Sequence, residues 1–343
     1  MKSLHLTYQH SRAPEIYGDN WFNSHPLSIR ELQGRPVLLF FCDYTSAQSQ
    51  ELITLINGLS ALYDEYGLAC IAIHSPEFSF GKDPKRVDQW IKKNLVLFPV
   101  LTDNERPITN AYRISSVPAI CLVDNKGDIY DTITESFVPE RIERSVQYLL
   151  RQSGYRGELP ILVNPAYDIS YSLTSKVVKE IFTGYYHGAL GNPEGYSPEL
   201  AADYADPKLY FRGKFYAHGI WHAERNAFAY EGEPDSGYVV CQTEGDIVDA
   251  VIGSKIKTSV RIECDDAAVK LINMGHDLKK DKQGNTYLTV EEPQLFSLFQ
   301  KNNDELHTLK LVPMSSDITF YMFSFRAKLL EEDAQPRNTL RNN

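Results

Sequence analysis

Pro36-Val37-Leu38-Leu39-Phe40-Phe41-Cys42-Asp43-Tyr44-Thr45-Ser46-Ala47-Gln48-Ser49 sets an unbroken apolar run against a short polar turn. An apolar run with no polar alternation predicts a strand covered on both faces, as in the middle of an α/β sheet. Beyond the turn, Leu52, Leu55, Ile56, Leu59, Leu62, Tyr63 and Tyr66 recur at helical spacing, and Gly67 is placed to end that helix. The stretch reads strand, turn, helix.

The same alternation continues on the C-terminal side. Leu68 to Ile73 predicts a second buried strand, and Asp83-Pro84 an N-cap and first helical residue ahead of Val87, Trp90 and Ile91. Val96 to Leu101 predicts a short strand. Ala119 to Val123, the turn Asp124–Gly127 and Ile129 to Thr132 predict a hairpin, and Pro139 opens a helix carrying Ile142, Val146, Leu149 and Leu150. Residues 1–153 are therefore expected to form a three-layer α/β domain with a mixed sheet.

Gly157, Pro160 and Pro165 then punctuate an expected linker over 154–172. From 173 to 330 the pattern changes to short runs rich in β-branched and aromatic residues, among them Tyr238–Cys241, Ile247–Ile252, Thr258–Cys264, Ala268–Asn273, Thr286–Val290, Leu295–Phe299, Leu306–Val312 and Ile318–Phe325. Val260, Ile262 and Cys264 alternate with Arg261 and Glu263, and Leu309 and Leu311 with Thr308 and Lys310. Such runs predict an antiparallel, jelly-roll-like β-sandwich. Residues 331–343 read as a polar tail.

Composition narrows the partners. The 343 residues are 43% hydrophobic and 23% charged, with a net charge of −10. An acidic chain of this kind is not expected to bind nucleic acid or an anionic membrane surface. The five cysteines, Cys42, Cys70, Cys121, Cys241 and Cys264, are far apart and contain no C-x-x-C pair, so neither a disulfide framework nor a zinc site is expected, and no cofactor. The N-terminal MKSLHLTYQHSRAPEI lacks the apolar segment of a signal peptide, and Val37 to Cys42 is far short of the roughly 20 residues of a spanning helix. The expectation is a cytoplasmic protein with reduced thiols and no membrane span.

In a strand–turn–helix unit the turn at the strand's carboxyl end lies under the positive end of the helix dipole, which favours an anion such as a thiolate. Here that turn holds Cys42 to Ser49. Around it, Ala13-Pro14-Glu15, Trp21-Phe22-Asn23-Ser24, Leu32 to Pro36, Asp43-Tyr44-Thr45, His74-Ser75-Pro76-Glu77-Phe78 and Val117-Pro118-Ala119 resemble a thioredoxin-like domain of the peroxiredoxin and TlpA-like class. The second half, through Tyr185-Tyr186, Gly191 to Tyr196, Phe215-Tyr216, Trp221 and Met322 to Phe325, is similar to the β-sandwich of the group related to the C-terminal half of mycobacterial DipZ, likened to a carbohydrate-binding module. The resemblance implies a thiol–disulfide oxidoreductase, with Val117-Pro118 as a cis-proline peptide facing the redox site.

The chain departs from that pattern at one place. Where the family carries Tyr-Thr-Cys-x-x-Cys, this sequence has Tyr44-Thr45-Ser46-Ala47-Gln48-Ser49. Exchange needs one thiolate to attack and a second thiol to resolve the mixed disulfide, and a serine hydroxyl does neither at neutral pH. Loss of the inherited reaction is therefore expected. Cys42, four residues before Ser46, reads either as a lone redox or peroxidatic thiol or as a small buried hydrophobe continuing Phe40-Phe41, and the second is the commoner state of a free cysteine. Ser46 reads either as an anion or carbonyl holder with Tyr44 and Thr45, or as a helix N-cap. His74 is the histidine of this domain near a strand end, and a serine hydrolase would need it as base.

Residues 182–230 are dense in aromatics, including Phe182, Tyr185, Tyr186, Tyr196, Tyr204, Trp221, Phe228 and Tyr230. Exposed, Tyr185, Tyr186, Tyr196 and Trp221 would stack on sugar rings or a partner; buried, the segment would fill the sandwich core. His187, His218 and His222 are too widely spaced along strand or loop to hold one ion. Three functions follow: a redox-inactive thioredoxin-like binding or scaffold protein, with a protein, peptide or glycan ligand; a thiol enzyme working through Cys42; or a carbohydrate-recognition protein.

Overall fold

The computed structural model describes residues 11–18, 20–135, 137–162, 175–301 and 305–328. Residues 163–172 of the expected linker and the whole of the expected tail, 331–343, lie outside them. The described residues fall into two compact units, one before residue 163 and one after 174.

In the first unit the elements run β1 (Trp21–Phe22), β2 (Val37–Cys42), α1 (Ala47–Tyr63), β3 (Ala69–His74), α2 (Pro84–Lys93), β4 (Val100–Thr102), α3 (Pro107–Ala111), β5 (Ala119–Val123), β6 (Ile129–Ile133) and α4 (Pro139–Gln152). They build one mixed six-stranded sheet in the order β1-β4-β3-β2-β5-β6. β2 pairs parallel to β3 and antiparallel to β5, so it lies at the centre. Its pleat sends Leu38, Phe40 and Cys42 to one face, against α1, α2 and α4, and Val37, Leu39 and Phe41 to the other, against Ile29, Leu32 and Ile108. This is the three-layer thioredoxin-like arrangement. Burial of each Leu or Phe of β2 contributes about 1.5–3 kcal/mol.

Local signals explain most boundaries. Asp83 caps α2 by accepting the Lys85 N–H, and Pro84 follows at the first helical position. Gly67, at φ +102°, makes the left-handed turn between α1 and β3. β4 starts at Val100, four residues later than the apolar pattern predicts. Pro99 has no N–H to donate, and the Val96 and Phe98 carbonyls are taken by Asn23 Nδ2.

The second unit holds β7 (Ser175–Phe182), β8 (Ala201–Tyr204), β9 (Phe215–Ala223), β10 (Phe228–Tyr230), β11 (Tyr238–Gln242), β12 (Ile247–Gly253), β13 (Thr258–Cys264), β14 (Ala267–Ala268), β15 (Leu278–Lys280), β16 (Thr286–Val290), β17 (Gln294–Gln300), β18 (Thr308–Pro313) and β19 (Thr319–Lys328). All the ladders between these strands are antiparallel. One layer runs β15-β16-β13-β18-β11, the other contains β10, β19, β12 and β17, and β9 belongs to both. Phe215 to His218 pair with β11, and Gly219 to His222 pair with β8. Gly219 stands at the switch with φ +91°, and a Cβ there would meet the Gly237 Cα at 3.1 Å. A side chain at this corner is disfavoured by the backbone angle and would crowd the Gly237 backbone.

The core lies between the layers. Val239, Cys241, Val260, Ile262, Leu309 and Leu311 from one face Val248, Ala250, Ile252, Phe296 and Phe320 from the other. One expected strand is corrected. Ala268–Asn273 pairs only at Ala267–Ala268 and then enters a 3-10 turn at Leu271–Asn273. Val269 is buried but Leu271 and Ile272 are exposed, so the run presents no continuous apolar face to a neighbouring strand.

Candidate functional site

β2 and β3 end together, with Cys42 beside His74. On the other flank Ala119 of β5 pairs with Phe41, which sets Pro118 at the same end, and the Val117–Pro118 peptide is cis. The turn from Asp43 to Ser46 leaves this edge and enters α1.

Asp43 organises the turn. Its Oδ1 accepts the Thr45 N–H at 2.9 Å and its Oδ2 the Glu77 N–H at 2.8 Å, joining the loops that follow β2 and β3. Ser46, in an extended conformation, is the N-cap of α1: its Oγ accepts the Ser49 N–H at 3.2 Å. Ser49 Oγ in turn accepts the Asp43 N–H at 3.3 Å. Both hydroxyls are thus engaged with backbone donors that the helix start and turn leave without intrahelical partners. Tyr44, Thr45, Ser46 and Ser49 are all buried.

His74 is fully buried and packs face to face with Tyr44, ring centroids 5.3 Å apart, with Trp90 on another side at 5.9 Å. Burial lowers its pKa, and the Asp43 carboxylate 3.8 Å away pulls the other way. Nε2 faces the Tyr44 N–H at 3.5 Å, the limit of a hydrogen bond, and the buried Nδ1 has no hydrogen-bond partner among the described residues. Such a ring is a packed element of the turn, and its Nε2 faces the Tyr44 backbone rather than a serine.

Four of the five thiols are equally withdrawn. Cys42 is fully buried and its pKa is raised well above the ordinary thiol value, by burial first and the Asp43 charge second. Burial pushes Cys70, Cys121 and Cys241 up to about 12. A reactive cysteine needs the opposite, partial exposure and a stabilised thiolate.

In the second unit the aromatic segment is divided. Trp221 is fully buried, stacked on Phe228 at 5.1 Å, and donates from Nε1 to the His218 carbonyl. The Tyr196 ring packs against Phe215 and Phe228, and its hydroxyl bonds the Thr183 carbonyl and the Leu190 N–H. Trp221 offers no face to a sugar, which corrects its placement among ligand contacts, and the Tyr196 ring is half-buried against the same core. Tyr185 donates to Glu199 Oε1 at 2.9 Å. Tyr186 is exposed, and the Arg225 guanidinium lies 3.9 Å from its ring centroid.

Among the described residues one group of three potential metal ligands converges, Cys264, Asp265 and His307, and none of His187, His218 or His222 belongs to it. Nothing in the local sequence reveals that group, because His307 is 42 positions from Asp265 and reaches it only through the pairing of β13 with β18. No helix among the described residues is long and apolar enough to cross a membrane.

Comparison with known proteins agrees with this architecture. Residues 10–132 match the AhpC/TSA family and residues 178–325 the family described as thioredoxin like C-terminal domain. Protein DipZ of Mycobacterium bovis is 31% identical over 121 residues, which is 34% of this chain and 17% of DipZ, so only a small part of that relative is matched. The thiol-disulfide oxidoreductase ResA of Geobacillus kaustophilus is 23% identical over 137 residues, 40% of this chain and 75% of ResA. Among solved structures, a thiol:disulfide interchange protein from Chlorobium tepidum aligns at 16% identity and a TM-score of 0.37, covering 41% of this chain and 97% of that one. Residues 10–132 thus match the AhpC/TSA family and are similar to parts of DipZ and of the thiol-disulfide oxidoreductase ResA, and residues 178–325 match the thioredoxin like C-terminal domain.

Proposed function

We propose that this is a thioredoxin-like binding or scaffold protein that has lost thiol–disulfide exchange. The observation that carries the reading is the pair Ser46 and Ser49. They stand at the head of α1, where the family resemblance calls for the attacking and resolving thiols, and both hydroxyls are tied into the turn. Exchange proceeds through a thiolate and a mixed disulfide, which an alcohol cannot form. The burial and raised pKa of Cys42 count against the alternative, an oxidoreductase or peroxidase that uses that thiol. Glycan recognition through the sandwich draws no support from Trp221 or Tyr196, whose rings face the core. The reading treats residues 1–153 and 173–330 as separate domains joined by 154–172, within a cytoplasmic protein.

A disulfide-reduction and peroxide-consumption assay on the wild type, Cys42→Ala and the Ser46→Cys/Ser49→Cys double variant tests it. The expected result is no turnover in the first two and disulfide reduction in the third. Wild-type turnover that vanishes in Cys42→Ala overturns the proposal.

A further inference from the structure

β13 ends at Cys264, and Asp265 and Asp266 turn the chain back into β14. Across the ladder, Cys264 pairs with Leu309 of β18, so His307, just before that strand, stands opposite the turn. Asp265 Oδ2 lies 2.7 Å from His307 Nδ1 and 3.6 Å from Cys264 Sγ, and the three donor atoms are all within 4.8 Å of one another.

The backbone fixes each of them. Asp265 N–H donates to the Thr308 carbonyl and Thr308 N–H to Asp265 Oδ1, both at 2.9 Å, which leaves Oδ2 turned to the sulfur and the imidazole. His307 N–H donates to Thr243 Oγ1 at 3.1 Å, its carbonyl accepts the Thr243 N–H at 2.9 Å, and its ring packs edge-on to Phe299. The other carboxylates nearby are engaged elsewhere: Lys310 Nζ is 2.9 Å from Asp266 and 3.4 Å from Glu263.

We propose that Cys264, Asp265 and His307 form a three-ligand site for a divalent ion of the zinc class. One sulfur, one imidazole nitrogen and one carboxylate oxygen are the donor types such a borderline-soft ion takes. A tetrahedral ion with bonds of about 2.0–2.3 Å holds its donors roughly 3.3–3.6 Å apart, so the Cys264–Asp265 separation already fits and the Asp265–His307 pair opens by about half an ångström. Binding releases the thiol proton to solvent and requires the imidazole proton to lie on Nε2, and the exposure of Asp265 leaves a fourth position for water or an external donor. A catalytic thiol is a poorer reading of the same atoms. There the imidazole would sit on the sulfur, whereas here the carboxylate bonds both and holds the ring Nδ1 for itself.

Cys264 is also the one free cysteine that is not buried, which gives a readout specific to the site. Full-length protein kept reduced is titrated with zinc sulfate by calorimetry and with cobalt(II) chloride by absorption, and Cys264 alkylation by a maleimide is followed by mass spectrometry. The expected results are one equivalent of ion, a sulfur-to-cobalt charge-transfer band, and slower alkylation of Cys264 in zinc. Cys264→Ser and His307→Gln should each weaken binding by no less than about tenfold, the loss that even an outer-shell change brings, while His222→Gln leaves it unchanged. Unchanged Cys264 alkylation in zinc overturns the site without reliance on any variant. A cobalt spectrum without the sulfur band, or binding retained in Cys264→Ser or lost in His222→Gln, also overturns it. The site is independent of the redox reading of the first unit, so either can fail alone.

Discussion

Ser46 and Ser49 stand one helical turn apart at the head of α1, and Ser46 Oγ accepts the Ser49 N–H at 3.2 Å. The hydroxyl that the resemblance sets at a redox position is therefore part of the helix's own termination. Ser46→Ala is expected to destabilise the first unit by about 0.5–2 kcal/mol, and Ser46→Asp to keep most of that stability, since either oxygen type caps. Native-state hydrogen exchange checks this directly: the Ser49 amide should lose protection in the alanine variant. Unchanged protection there would show that the cap is not the role of Ser46.

Acid should weaken the first unit through His74. Burial lowers its folded-state pKa below the ordinary 6.5, with the Asp43 charge opposing. Below about pH 6.5 the unfolded chain then binds a proton that the folded one does not, so stability falls as pH drops toward the folded pKa. His74→Phe, which keeps a ring between Tyr44 and Trp90, is expected to flatten that slope. Melting temperatures of the two proteins from about pH 7 to pH 5 provide the comparison, and parallel slopes would remove His74 as the cause.

Trp221 and Tyr186 lie in the same aromatic segment and are expected to behave oppositely. Trp221→Ala removes a fully buried ring from the sandwich core, for a loss of about 3–5 kcal/mol. Tyr186→Ala removes an exposed ring and should stay within about 0.5 kcal/mol. Urea unfolding monitored on the second unit separates them, and a small effect at Trp221 would contradict its core position.

Asp206 anchors a tyrosine–lysine cluster on the sandwich. Burial alone would raise its pKa, but bonds from Tyr238, Lys208 and Tyr210 outweigh that and hold it at about 2. The sign is that of a depressed carboxylate: its stabilisation is present above the unfolded value of about 3.9 and is lost as pH falls toward 2. Asp206→Asn should therefore be less stable than wild type at neutral pH, and the two unfolding curves should converge in acid. A gap that persists in acid would assign the loss to packing rather than to charge.

Much of this architecture is local in origin and legible before folding. The unbroken run from Val37 to Cys42 specifies a central strand because only burial on both faces tolerates it. Asp83-Pro84 and Gly67 mark helix boundaries through single-residue backbone chemistry. Val260 and Ile262, and Leu309 and Leu311, show by period two which sides of their strands face the core. Where locality fails, so does the reading: the apolar residues of 268–273 have the composition of a strand but pair only at Ala268, and Pro99 shortens β4 from within an apolar run.

By itself the sequence determined the two fold classes and the absence of a C-x-x-C pair, because periodicity and residue identity are properties of the chain alone. The tertiary structure alone decided which aromatics are core, that both serine hydroxyls are spent on the turn, and that Cys264 and Asp265 meet His307. Those outcomes depend on which strands pair and which faces are covered. Burial and long-range register are set by the whole fold, and no window of sequence contains them.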